Sequence, residues 1–435
     1  MSSYDPFAYL LPLAILVVLV VAIFTLSPKK HLPMKIFLGS WIIVLGLHFF
    51  VVSLDLMPLR SVSLSTNFAI IKAVIAVLIG YLSVGFFLRN YRTSHGKHSE
   101  VLRLSSDLKA SVFDLIILFY ALIVLVWMWS TVNTILGHFG FYGLESFRDL
   151  RNQVNYRGSS WGAVMYFATF GMCASVFVIA KNGGRPPRQQ IIGYLILLVV
   201  LFTSFLSTQR TGSFMLLIAV TFCLASKGSI AIARLAKLIA ILFIIFLTVG
   251  AILGKAGNLD MPFAQIVTTG FQTMMYYMLS PLSALDMVHN STNILLEGQY
   301  TARSIISLFN FIGLSDVPLV DLIQPYVFVP APTNVYTFVH APYRDFGQLF
   351  PIYHFFLGIL LGFIFTLRNS HFGFRVMQAF LFYPLIFSFF QDQFFTLTSQ
   401  WLQIAVSLAF LSYIHSMFSK LVITPTGRSH TWSAA

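Results

Sequence analysis

A succession of long apolar runs limits what this chain can become more than any other feature. Most are roughly 17 to 24 residues, the length of helix that crosses a hydrocarbon core of about 30 Å. They begin with Phe7–Leu26 and continue through 36–56, 68–88, 112–132, 161–180, 191–206, 212–226 and 238–254. After a long interval come 350–367, 376–390 and 395–418. In lipid every backbone N–H and C=O has to be bonded within the protein, so such runs read as helices. With 57% hydrophobic and only 9% charged residues, the chain lacks the roughly 25% charge of a typical soluble domain. The expectation is a single all-α polytopic membrane domain, residues 1–435, with about eleven transmembrane helices.

The charges orient it. Lys29, Lys30 and Lys35 follow the first run, whereas a cleavable signal peptide carries its basic residues in front. The first run therefore reads as a retained span with its N-terminus outside, which leaves the C-terminus inside. Residues 89–110, with Arg89, Arg92, Lys97, Arg103 and Lys109, form the clearest inside loop. Of 27 Lys and Arg, 18 fall in inside segments, 8 fall outside and Lys72 lies within the third run. Cytoplasmic loops carry this excess. The net charge of +13 thus reads as topology. A nucleic-acid partner is not expected, because the basic residues are scattered over short loops. Cys173 and Cys223 lie inside apolar runs, so no disulfide framework is expected.

Two outside segments are large, 133–160 and 255–348. Within the second, Gln265–Met287 is apolar but interrupted, and Arg303–Leu314 has the periodicity of an amphipathic helix. Together they read as a folded cap lying on, or dipping into, the outer leaflet. The second segment closes with Pro330–Gly347, which holds Asn334, Tyr336, His340, Tyr343, Arg344 and Asp345. Pro330, Pro332 and Pro342 oppose a long helix. Polar and titratable groups on irregular backbone at a membrane surface suggest a site. The plainer reading is a polar loop that caps helices.

His340 and Asp345 are the candidate proton acceptors, since a hydroxyl nucleophile needs a base and an unperturbed imidazole titrates near pH 6.5. Asp345 has two other readings, pairing with an arginine or capping the helix that follows. Asn334 and Tyr336 have side chains that bond sugar hydroxyls or order the loop. Outside arginines are the second signal: Arg157, Arg210, Arg303 and Arg344. An arginine at membrane depth costs roughly 2.5 to 3.5 kcal/mol unless it snorkels or pairs, and its planar fork suits phosphate. Arg148 and Arg151 share a helix face with Glu145 and Asp149 nearby, the pattern of a salt-bridged helix. Lys72 and Asp55 read as an intramembrane pair, and Asp114 as reaching water at the inner end of its span. Asp260, Asp286, Glu297, Asp316, Asp321 and Asp392 read as scattered, mostly solvated carboxylates. The outer aromatics Trp161, Tyr276 and Tyr277 read as interface anchors. No Asp-x-Asp, no His/Cys pair at ligand spacing and no phosphate-binding loop is present. Neither a metal nor another cofactor is expected.

Thr333-Asn-Val-Tyr-Thr337 followed by Tyr343-Arg-Asp-Phe-Gly347 resembles the bacterial oligosaccharide repeat-unit polymerases, the Wzy or O-antigen polymerase family, which are related to the O-antigen ligases. The resemblance implies a GT-C-like bundle with a periplasmic cap, in the inner membrane. It implies a glycosyltransferase that moves the growing glycan from undecaprenyl diphosphate to the terminal sugar of a new lipid-linked unit. It implies essential arginines in two outside loops, Arg210 at the end of one span among them, and a partner protein for chain-length control. The related ligases place a histidine directly before the asparagine, where this chain has Thr333. A ligase remains the near alternative. A flippase is the more distant one, although transporters tend to carry paired repeats and broken helices in both halves.

Overall fold

Residues 5–26, 31–92, 107–137, 145–156, 160–182, 187–208, 210–225, 262–291, 295–321, 324–366 and 372–420 are described by a computed structural model. Ten of the apolar runs fall on helices: α1 Phe7–Leu26, α2 Leu32–Ser53, α3 Leu64–Arg92, α4 Asp107–Leu136, α6 Val164–Asn182, α7 Pro187–Leu206, α8 Arg210–Ala225, α12 Phe350–Thr366, α13 Phe372–Phe387 and α14 Thr398–Lys420. The run 238–254 lies outside the described residues, as do 93–106 and the C-terminal tail. Among the described residues, seven helical stretches are long and apolar enough to cross a membrane, and Gln190–Leu206, Thr211–Ala225 and Phe372–Phe387 are shorter apolar helices. The chain is an all-α polytopic membrane protein.

Four helices lie outside these runs: α5 Glu145–Tyr156, α9 Phe263–Ser291, α10 Arg303–Phe311 and α11 His340–Phe346. The interrupted apolar stretch is one continuous helix, α9, running through Pro281. The amphipathic α10 has no buried residue. Between them and α11 sits a two-residue antiparallel pairing, β1 Val327–Phe328 with β2 Pro332–Thr333.

Lipid tails give helices no hydrophobic reason to associate, so close packing of small residues substitutes for it. Helices α3 and α12 touch this way. A Cβ on Gly80 would collide with the carbonyl oxygen of Phe355, and one on Gly358 with that of Val77. At Gly362 the added atom would meet Tyr81 O and Val84 Cβ at 2.9 Å. At Gly80 and Gly358 backbone meets backbone, and at Gly362 the Val84 side chain fills the adjoining space.

A polar relay pins α9 to the bundle. The Val62 amide donates to Tyr9 Oη (2.7 Å), and Tyr9 donates to His48 Nδ1 (3.1 Å). His48 Nε2–H donates to Ser283 Oγ (3.1 Å), which donates to the Arg60 carbonyl (2.6 Å). Because the two hydroxyls each pass their proton onward, the ring is the Nε2–H tautomer. Beside it, Asp286 accepts from the Ser63 amide (2.9 Å), the Ser63 hydroxyl and Thr66 Oγ1 (2.7 Å). A carboxylate from α9 thus caps the N-terminus of α3, where the helix dipole favours negative charge.

Three expectations about charges change. Asp114 does not reach water: it is buried, accepting from Lys181 Nζ and from Asn182 Nδ2 (2.7 Å). Burial on α6 brings the lysine to it, across 67 residues of sequence. Lys72 and Asp55 do not pair: both are exposed, and Lys181–Asp114 is the one ion pair among the described residues. Asp286 is not solvated, as its helix-capping bonds require.

Two outcomes follow from the packing. Gly358→Leu forces α3 and α12 apart and should cost several kcal/mol, on the order of an overpacked core, read as loss of the monodisperse peak in detergent. Breaking the buried pair with Asp114→Ala leaves an uncompensated lysine and should cost about 3 to 5 kcal/mol. The double change Asp114→Leu, Lys181→Met should recover most of that in a thermal melt.

Candidate functional site

Residues 330–347 are irregular only in their first half. Residues 334–339 run without regular structure, and the Phe338 amide bonds to the Ser388 carbonyl at the end of α13 (2.9 Å). Helix α11 follows, and Gly347, with φ +54°, turns the chain into α12. A left-handed φ favours glycine, and a Cβ there would stand 3.1 Å from Leu295. Tyr276 donates to the Ala331 carbonyl (2.5 Å) and so ties α9 to this segment.

The segment builds a cluster of rings and charges. The ring of His340, buried, stacks on Tyr336 with centroids 4.2 Å apart, and Tyr300 lies at 5.8 Å. Tyr336 donates to the Pro325 carbonyl (2.8 Å), which orders the loop. Burial raises the phenols of Tyr300 and Tyr336, the latter to about 12, while the nearby Arg344 guanidinium pulls both down. The same charge lies beside His340. Asp345 neither pairs with Arg344 nor caps α12. It accepts from the Tyr300 amide (3.1 Å), the Thr301 amide (2.7 Å) and Thr301 Oγ1 (2.8 Å). Those bonds, and that of the Leu296 amide to the Arg344 carbonyl (3.0 Å), fasten the 296–302 turn to α11.

Arg344 is left without a carboxylate partner among the described residues, and its Nε is buried with no hydrogen-bond partner. Arg303 begins α10 and spends its Nε on the Val320 carbonyl (2.8 Å). Asn334 is half-buried in the loop before Tyr336. Arg157 lies outside the described residues; Arg210 is the first residue of α8. Arg148 and Arg151, on α5, form no ion pair within the described residues. Thr333, where the ligases carry histidine, is buried and accepts from the Val335 amide (3.3 Å). No group of three or more His, Cys, Asp or Glu that could hold a metal is found among the described residues.

Reading the sequence alone misplaced Asp392. It is buried (3% exposed) in the turn between α13 and α14. One oxygen accepts from the Phe394 amide (2.9 Å) and the Phe395 amide (3.4 Å). The other, buried too, has no partner with normal geometry, although the Tyr353 hydroxyl faces it. Burial pushes this carboxyl from 3.8 up to about 6, against the pull of the loop amides and Tyr353. A Gln-Asp-Gln tripeptide between two aromatic pairs gives no sign of that burial.

A carboxyl whose pKa is higher in the folded chain binds its proton more tightly when folded. This one therefore costs stability as pH rises from 3.8 through about 6. Asp392→Asn keeps an acceptor for both loop amides and gains a donor for Tyr353. It should melt above wild type at pH 8, by up to about 3 kcal/mol, with the gap closing as pH falls toward 4.

The chain matches no protein-family model, no curated protein and no solved structure.

Proposed function

We propose that the chain is a bacterial inner-membrane glycosyltransferase that polymerises undecaprenyl-diphosphate-linked repeat units on its periplasmic face. The observation that carries this reading is Arg344. It is a half-buried guanidinium amid Tyr300, Tyr336 and His340, with a buried Nε that has no hydrogen-bond partner among the described residues. Its neighbour Asp345 is committed to backbone amides, so the positive charge is left for a ligand. A guanidinium in that state suits an oxyanion, to which it presents two parallel N–H donors. The motif resemblance in residues 333–347 supplies the identity of that oxyanion, a lipid diphosphate.

In this reading a hydroxyl of the acceptor's terminal sugar attacks the anomeric carbon of the donor glycan. The new glycosidic C–O bond forms as the anomeric C–O bond to diphosphate breaks. Undecaprenyl diphosphate leaves with the electron pair. Arg344 holds the developing charge, with Arg210, Arg157 and Arg303 as the further arginines in the outer loops. Donors aimed where charge develops stabilise the transition state more than the ground state. The rings of Tyr336 and His340 wall the site, and Asn334 bonds sugar hydroxyls. Burial, with the Arg344 charge beside it, lowers the His340 ring to about 3, and Asp345 is taken up by residues 300–301, which speaks against the proton-transfer role read for each from the sequence. Thr333 in place of the ligase histidine favours a polymerase over a ligase. The N-terminus lies in the periplasm and the C-terminus in the cytoplasm. A chain-length regulator is the expected protein partner.

The test is a strain lacking the protein, complemented by wild type or by variants of equal expression, with surface polysaccharide resolved on a gel. Wild type should restore a ladder. Arg344→Ala should leave single capped units, since losing a charge-assisted bond worth about 1.5 to 3 kcal/mol slows transfer roughly 10- to 100-fold. Arg344→Lys should not restore the ladder fully, and Arg210→Ala should behave like Arg344→Ala. A full ladder from Arg344→Ala would sink the reading.

A further inference from the structure

The turn that joins α13 to α14 is built around one carboxylate. Asp392 uses a single oxygen to cap its own loop, and Thr396 Oγ1 donates to its carbonyl. Trp401 Nε1 bonds to the Gln393 carbonyl (2.9 Å) and closes the same loop. A serine or asparagine would cap this turn equally well without burying a charge. An ionisable group out of water is costly, and the second oxygen is faced only by the Tyr353 hydroxyl, without normal hydrogen-bond geometry.

That oxygen lies at the same end of the bundle as Arg344. The amide of Phe338 bonds to Ser388, so the turn and the 330–347 segment are joined directly. Tyr353, in the first turn of α12, faces Asp392 with a buried hydroxyl that likewise lacks a partner of normal geometry. Its ring packs against Phe395 (4.9 Å) on one side and Phe346 (6.1 Å), two residues from Arg344, on the other. The charge of Asp345 is also felt at Tyr353. A half-buried cation and a buried carboxylate thus flank one short run of aromatic chain. Transfer of a glycan from a diphosphate to a hydroxyl needs such a pair, a cation for the group that leaves and a base for the group that arrives.

We infer that Asp392 Oδ2 is the proton acceptor for the attacking sugar hydroxyl, the acceptor sugar displacing the Tyr353 phenol that now faces it. This rests on the polymerase reading and assigns the base within it. As the hydroxyl oxygen bonds to the anomeric carbon, its proton passes to Oδ2 and the electron pair of the broken C–O bond leaves with the diphosphate. The carboxyl then returns its proton to water. Burial supports the role, since it brings this group to about 6, where it is ionised at neutral pH yet basic enough to take a proton. The titratable groups that face it are Tyr353 on α12 and, beyond that ring, Asp345 on α11.

The experiment uses the full-length protein in lipid nanodiscs with undecaprenyl-diphosphate-linked repeat units extracted from the deletion strain. Polymer formation is followed against pH, beside binding of the same lipid and a thermal melt. Wild type should polymerise with an acid limb near pH 6. Asp392→Asn should bind the lipid and melt no lower, yet turn over at least about 100-fold more slowly. Tyr353→Phe should stay active with its acid limb moved to higher pH, because it removes a bond that favours the carboxylate. Equal turnover by Asp392→Asn, or an acid limb unmoved by Tyr353→Phe, overturns the assignment and leaves the polymerase reading standing. Absence of polymer from wild type overturns the polymerase reading, and the assignment falls with it.

Discussion

The contact between α3 and α12 is made by backbone against backbone, and the rest of the site depends on it. With Gly80, Gly358 and Gly362 at the seam, the two helices have almost no freedom to rotate or slide. Helix α12 begins where the Pro330–Gly347 segment ends, and α3 begins at the turn that Asp286 caps. The seam therefore sets the height of Tyr353 and the position of α11 relative to α9. A bundle packed through large flexible side chains would not hold these groups as tightly, since an interior filled by atoms in contact transmits displacement with little loss.

Polar groups are spent sparingly in the lipid-facing part of the molecule and concentrated at one end. Among the described spans the single ion pair, Lys181–Asp114, is buried and completed by Asn182. The His48 relay likewise leaves no ring nitrogen unbonded. Satisfied networks of this kind rigidify a core, whereas half-satisfied ones are costly. Arg344 and Asp392 are of the second kind, and both lie beside the 330–347 segment. Costly groups without structural employment are the ones that suggest a ligand.

Much of the architecture was legible because hydropathy alone decides where helices cross a membrane. Ten runs and ten helices correspond, with ends differing by a few residues. The candidate segment was legible as well, since three prolines and eight polar side chains within 18 residues are visible without coordinates. Pairing was not. Asp114 and Lys181 are 67 residues apart, and neither carries a local mark of its partner. The glycine seam escaped because Gly358 and Gly362 acquire meaning only opposite Gly80. Asp392 escaped because burial is a property of the assembled loops. For Asp345 the sequence offered a base, an ion pair or a helix cap. The backbone of residues 300–301 took it instead, a partner that no side-chain pattern announces.

That last contact joins two distant stretches into one body. Asp345 grips consecutive amides at 300 and 301, and Leu296 returns a bond to Arg344. The 296–302 turn and α11 are thus riveted at several points, with Gly298 (φ +93°) inside the turn and Gly347 (φ +54°) at the C-terminal edge of α11. Any displacement of α11 carries the turn with it, with Gly347 as the pivot at its C-terminal edge. Seating any ligand beside Arg344 would then be mechanically a two-segment motion, with a stiff plate and a hinge already placed.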